Sequence, residues 1–252
     1  MKNKKRYLLI DGIRGIAILN MIAFHFLYDL NEVFDRKLQW YRRPPVHIWQ
    51  QAICWTLILV SGFVWKMSRR TAVKRGIFLN VCGFAITLVT VIVIPEEAVW
   101  FGILNFMGFA VMLMIPVHEV AQKIPGTVGC GVSFFIFLCS RNIPDGVWGI
   151  EGMFILRIPE IMYSNRLFTI LGFPYPAFRS SDYFPIFPWM ALYLTGYFLF
   201  QLAEKSEYVQ KTMYKKIPAA SNIGQKSIWI YMIHQPLCMM ICMIFIKIVN
   251  LG

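Results

Sequence analysis

One stretch, RYLLIDGIRGIAILNMIAFHFLYDL, constrains this chain more than any other. From Arg6 to Leu30 it is long and apolar enough to cross a bilayer, which takes about 20 residues. Yet it holds Asp11, Arg14, His25 and Asp29. An ionised group at membrane depth costs about 2.5–3.5 kcal/mol on insertion scales, so each needs a structural or functional reason. Asp11 and Arg14 are three apart and can pair on one helix face. At about 100° per residue, positions 11, 14, 18, 21, 25, 28 and 29 fall in one stripe roughly 100° wide. The opposite face is Leu, Ile, Ala and Phe. Arg14 and His25 lie about 16 Å apart along a straight helix axis. They do not touch; they mark two depths of one polar face.

The rest of the chain extends that reading. Of 252 residues, 58% are hydrophobic, and the mean hydropathy is +0.56. A soluble domain lies nearer 45–50% apolar, so an all-α, polytopic membrane helix bundle is expected, as a single domain over 1–252. The first run carries ionised residues and lacks a small-residue cleavage site. It reads as a retained span rather than a signal peptide. Apolar runs place seven spans near 7–27, 46–65, 77–94, 99–117, 126–142, 185–203 and 227–248, with a short or re-entrant eighth piece open near 147–162. The six cysteines lie in apolar runs without CxxC or zinc-finger spacing, as buried, inert thiols do.

The net charge of +12 could suggest nucleic acid, but its distribution does not. With the N-terminus inside, the cytoplasmic segments hold 15 Lys/Arg against three acids, and the outer loops hold 8 against 9. The positive-inside rule therefore predicts a cytoplasmic N-terminus in a multi-pass plasma-membrane protein. Anionic lipid accounts for most of that bias. A sharper reading gives Arg69, Arg70, Lys74 and Arg75 a polyanionic cytosolic substrate. No nucleic-acid partner is expected. The longest outer segment, Arg141–Phe184, is rich in Pro, Gly and aromatics and is expected to pack rather than wander.

Candidate chemistry gathers on few residues. His25 lies on the polar stripe with Asp29 one turn later. A carboxylate behind an imidazole suits a general base, and a hydrogen-bonded interfacial histidine fits the same spacing. His234 lies in SIWIYMIHQPL, inside the last span, where a buried His-Gln pair is a functional candidate. Asn105 is the polar group of the fourth span. Asp182, in SSDY before the sixth span, is either a carboxylate at the bundle mouth or part of a helix cap. His47 and His118 sit at span ends. No histidine pair has metal-ligand spacing, so no metal is predicted. There is no GxSxG, P-loop or GxGxxG, which removes motif support for hydrolases and nucleotide cradles.

At this point the residues resemble a known group. IDGIRGIAILNMIAFHF is similar to the opening of the transmembrane acyltransferase superfamily, where an Arg, ten residues and a His mark the first span; here these are Arg14 and His25. ID-x-x-RG followed by HFLYDL resembles the heparan-alpha-glucosaminide N-acetyltransferase catalytic-domain family in its short bacterial form. FGILNFMG, SSDYFPIFPW and IGQKSIWIYMIHQP resemble its later signatures, so the likeness runs from Ile10 to Pro236.

The resemblance implies an acyl-CoA-dependent transferase. It would move acetyl or another acyl group from cytosolic acyl-CoA to an extracytoplasmic sugar amine or hydroxyl. It implies His25 as base or transient acyl carrier, and Arg14 as a residue that organises the site or meets the donor. Asp29 stands with them as catalytic. Asp11, Asn105, Asp182 and His234 are candidates on the substrate side, and Arg69, Arg70, Lys74 and Arg75 on the CoA side. Membrane lipids, acyl-CoA and a glycan or amino-sugar acceptor are the expected partners, and a homo-oligomer is compatible with them. Two other classes remain open: a transporter using the same intramembrane charges, and a partner-binding membrane protein without catalysis. The absence of internal repeats counts against the transporter.

Overall fold

The computed structural model describes residues 6–36, 38–150 and 153–249. Among them, seven helices are long and apolar enough to cross a membrane, as the hydropathy runs predict. They are α1 (Leu8–Tyr28), α2 (Pro44–Phe63), α3 (Ala72–Val93), α4 (Ile103–Ala121), α5 (Gly126–Ser140), α6 (Ile186–Ala203) and α9 (Ser227–Val249). Two short helices, α7 (Glu207–Met213) and α8 (Ala220–Gln225), precede the last span. The chain is an all-α polytopic helix bundle.

The chain packs as two compact units, Met1–Leu57 with Ser206–Gly252, and Ile58–Lys205. The division falls inside α2. In the first unit, α1 meets α8 backbone to backbone. A Cβ built on Gly15 would lie 1.9 Å from the Ala220 carbonyl oxygen, and one on Gly224 would lie 1.8 Å from that of Asp11. Only glycine allows this approach, and small residues are the usual means of close helix packing in lipid. Ser221 Oγ adds a 2.8 Å bond to the Leu8 carbonyl. Further along the same face of α1 lies α9. Cys238 and Cys242 point their thiols at the Ile22 and Phe26 carbonyls, at 3.7 and 3.6 Å, so two i,i+4 steps run in parallel on the facing helices.

At its far end α1 widens into a π-helical turn, Asp29–Val33. The segment that follows folds back. Asn31 Oδ1 accepts from the Leu38 amide at 2.7 Å, and Asn31 Nδ2 donates to Glu32 at 2.8 Å. Helix α2 then starts on Pro44 and Pro45, in the first turn, where an amide hydrogen has no intrahelical acceptor to lose. Trp49 Nε1 donates to Asn20 Oδ1 at 3.0 Å, which holds α2 to α1 within this unit.

The second unit pairs α3 with α4 and α5 with α6. On the first seam Asn80 of α3 bonds the Gly76 carbonyl at 2.9 Å and packs against Gly108 of α4. On the second, Ser133 and Thr195 share a 2.9 Å hydrogen bond. One face of α3, with Ile77, Phe84, Leu88 and Ile92, is exposed, as a lipid-facing surface would be. The segment from Arg141 is folded, as its composition suggested. The eighth membrane piece left open near 147–162 is instead an antiparallel hairpin, β1 (Val147–Ile150) with β2 (Phe154–Arg157), followed by a 3-10 turn, Glu160–Tyr163. Gly146, with φ +85°, makes the turn into β1.

Candidate functional site

The centre of the first unit lies where α1 meets α9. The His25 and His234 rings stand edge to face, with centroids 4.7 Å apart. His234 is buried, and His25 is half-buried. His234 Nδ1 lies 2.5 Å from the Tyr231 carbonyl oxygen. A carbonyl accepts only, so in the neutral ring Nδ1 carries the hydrogen and Nε2 the lone pair. That Nε2 is buried and has no hydrogen-bond partner among the described residues. A buried acceptor without a partner costs about 1–3 kcal/mol, which makes this nitrogen a candidate to accept a hydrogen bond or a proton.

Asp29 is fully buried at the start of the π turn, and its Oδ1 accepts a 2.7 Å hydrogen bond from Gln235 Nε2. This carboxylate, one turn after His25, is therefore also tied to Gln235, the residue next to the second imidazole. Two neighbours on α9, His234 and Gln235, thus meet two residues one turn apart on α1. No local pattern could have revealed this, because the partners are 206 residues apart.

Toward the other end of α1, Asp11 is buried and pairs with Arg14 at 3.5 Å, as the i,i+3 spacing predicts. Its shorter contact is to Arg6, which precedes the helix and was not anticipated. That bond holds the Arg6 guanidinium above its usual pKa, against the opposing effect of partial burial.

The second unit holds the other candidates. Asn105 is 1% exposed and seated against Gly83; its Nδ2 is buried with no acceptor among the described residues. Asp182 belongs to a strap, Ser180–Phe184, laced to residues 97–103. Ser181 Oγ donates to Glu97 O at 2.8 Å, Ser180 Oγ to Trp100 O at 3.1 Å, and the Phe184 amide to Phe101 O at 3.0 Å. Asp182 Oδ2 accepts from the Ile103 amide at 3.2 Å and so serves the first turn of α4, not the helix that follows it in sequence. Burial pushes its carboxyl up to about 6, against the lowering effect of the Ile103 bond.

Among the four basic candidates, Arg69 pairs with Glu119 at 2.6 Å and Arg75 donates to Ser68 Oγ, while Arg70 and Lys74 lie at an exposed and an exposed-helix position. Close by in the same unit is a cavity of about 410 Å³ lined by Lys66, Lys123, Lys205, Gln122, Gln201 and Glu204. Lys66 is held by Glu204 at 2.6 Å. His118, which its place at a span end made unremarkable, is 3% exposed and bonded to the Tyr197 hydroxyl at 2.7 Å. Trp65 packs its ring at a tilt beside it and donates to the Val111 carbonyl at 2.9 Å. The sequence signal for this network was Tyr197 and Gln201, two polar groups one turn apart in a mostly apolar span. Among the described residues, no three His, Cys, Asp or Glu side chains come together as a metal site.

No curated protein and no solved structure matches the chain. The family model described as "Heparan-alpha-glucosaminide N-acetyltransferase, catalytic" matches residues 6–236, which takes in both imidazoles, Asp29, Asn105, Asp182 and every basic candidate. The chain therefore belongs to the heparan-alpha-glucosaminide N-acetyltransferase catalytic-domain family of transmembrane acetyltransferases.

Proposed function

We propose that the protein moves an acyl group, acetyl in the first instance, from acyl-CoA to the amine or hydroxyl of a sugar, with His25 at the reacting centre. The observation that carries this reading is the His25–His234 pair, 4.7 Å apart and held at membrane depth beside the Asp29–Gln235 bond. Acyl transfer from a thioester needs a base or nucleophile, a stabiliser for the oxyanion and little water. In direct transfer, the acceptor N–H or O–H attacks the thioester carbon as His25 takes its proton. The C–S bond then breaks, and the CoA thiolate leaves to be protonated. In the two-step route, His25 itself carries the acyl group before the acceptor takes it. His234, its Nδ1–H occupied by Tyr231, offers a second lone pair for the proton.

Charge supports the donor side. Lys/Arg bias favours a cytoplasmic N-terminus, which puts the basic stretch Arg69–Arg75 and the cavity with Lys66, Lys123 and Lys205 on the side of CoA. These are the residues to meet its phosphates. Arg14, toward the opposite end of α1 from His25, is suited to meeting the anionic donor or organising that end of the site.

Purified protein with radiolabelled acetyl-CoA and amino-sugar acceptors tests the reading. Label should move to the acceptor, or to the protein. His25→Ala should lower transfer by at least about a hundredfold, the scale of a lost general base. Transfer unchanged by His25→Ala would overturn the assignment.

A further inference from the structure

Within the first unit a second cavity, about 220 Å³, opens against Phe24, the residue before His25. Its floor is aromatic and apolar, with Phe24, Tyr41 and Val46 each less than a tenth exposed. Its rim is polar, with Arg42, Arg43 and His47 exposed. Phe24 connects the cavity to the reacting groups: its ring stands 6.0 Å from that of His25 and 6.0 Å from that of Tyr41. Whatever occupies the cavity is one ring away from the imidazole.

Three features narrow the occupant. First, the volume lies below the roughly 300–1,000 Å³ of pockets for drug-sized ligands, so it suits one ring rather than a chain. Second, the Tyr41 hydroxyl is buried and has no hydrogen-bond partner among the described residues. Such a group costs about 1–3 kcal/mol unless a ligand supplies the bond. Burial, with Glu32 and Asp29 nearby, raises this phenol to about 12, so it stays protonated and can donate. Third, Arg42 is anchored by Glu32 at 3.3 Å, while Arg43 is exposed beside it. A guanidinium at the mouth of an aromatic pocket suits a planar or tetrahedral oxyanion.

We infer that this cavity binds one sugar ring bearing an anionic substituent, a carboxylate or a phosphate. The ring face lies on Phe24 and Tyr41, the Tyr41 hydroxyl bonds a ring hydroxyl, and Arg43 reads the anion. This names the acceptor class of the transfer proposed above and rests on it for the reaction, but the binding stands without the donor.

Binding of glucuronic acid, glucose 6-phosphate, glucose and inorganic phosphate to the purified full chain in detergent, by ligand-observed NMR titration, tests it. Either anionic sugar should bind at least about tenfold tighter than glucose, a gap of about 1.4 kcal/mol. Which of the two is tighter identifies the substituent. Arg43→Gln, at an exposed position, should erase the gap, and Tyr41→Phe should weaken all three sugars alike. Equal binding of glucose and the anionic sugars would overturn the inference. So would no binding of any sugar, a gap that survives in Arg43→Gln, or phosphate binding as tightly as glucose 6-phosphate. The same titration on His25→Ala separates the two readings. Binding kept while wild-type protein transfers no acyl group sinks the reaction and leaves the pocket. Transfer without anionic-sugar preference does the reverse.

Discussion

Gln235 donates a 2.7 Å hydrogen bond to the buried Asp29 carboxylate, while His234, the residue before it, meets His25 with its ring. One helical step on α9 therefore couples the placement of a carboxylate to that of an imidazole. Gln235→Leu should loosen that placement. Transfer should fall by about a hundredfold, the scale of an ångström of misplacement. The KM for the acyl donor should change little. Kinetics at varied donor concentration separate the two. A loss confined to KM would assign Gln235 to donor binding instead.

Backbone contact makes a second position unforgiving. Alanine at Gly15 or Gly224 must push α1 and α8 apart, since the added carbon would sit 1.9 or 1.8 Å from a carbonyl oxygen. Overpacking of this kind costs about 1–3 kcal/mol. Gly131, in α5, has open space around its Cβ position. Alanine there should leave stability unchanged or raise it by about 0.5–1 kcal/mol through helix propensity. Thermal unfolding of the three variants should order them accordingly.

Asp182 gives a pH dependence with a definite sign. Its folded carboxyl titrates near 6, above the 3.8 of an ordinary aspartate. The unfolded chain releases this proton first, so stability falls as pH rises from about 4 to about 6 and is then level. Asp182→Asn keeps an acceptor for the Ile103 amide without the titration. Relative to wild type its melting temperature should gain from pH 4 to pH 6, with the difference constant above. Parallel curves over the whole range would remove Asp182 as the cause.

On the donor side, Lys123→Gln with Lys205→Gln should raise the KM for acyl-CoA by about tenfold, or 1.4 kcal/mol, with kcat little changed. The wild-type KM should rise with ionic strength and the double variant's should rise less, because exposed charges are screened. Initial rates at two salt concentrations check both.

Much of this architecture was legible in the sequence because hydropathy acts locally. A bilayer-length apolar run has few alternatives to a helix, and all seven emerged. Asp11 with Arg14 was legible for the same reason: both lie on one turn. What escaped depends on distant chain. Gln235 could not be matched to Asp29, nor Tyr197 to His118, since a single polar residue in an apolar span does not say which helix it faces. Asp182 serves α4 across 79 residues, whereas cap patterns look only to the next helix. The hairpin at 147–157 reads as an apolar run, and its two four-residue strands are too short for alternation to separate them from a membrane piece.

The first unit is assembled from both ends of the chain, Met1–Leu57 and Ser206–Gly252, while the second is continuous. Synthesis proceeds from the N-terminus, so the second unit has all its residues before α9 exists. His25 then waits in the bilayer through the making of some two hundred further residues before His234 can reach it. The pairing of the two imidazoles is the last contact of this unit to be made, and a chain ending short of Ser227 lacks it.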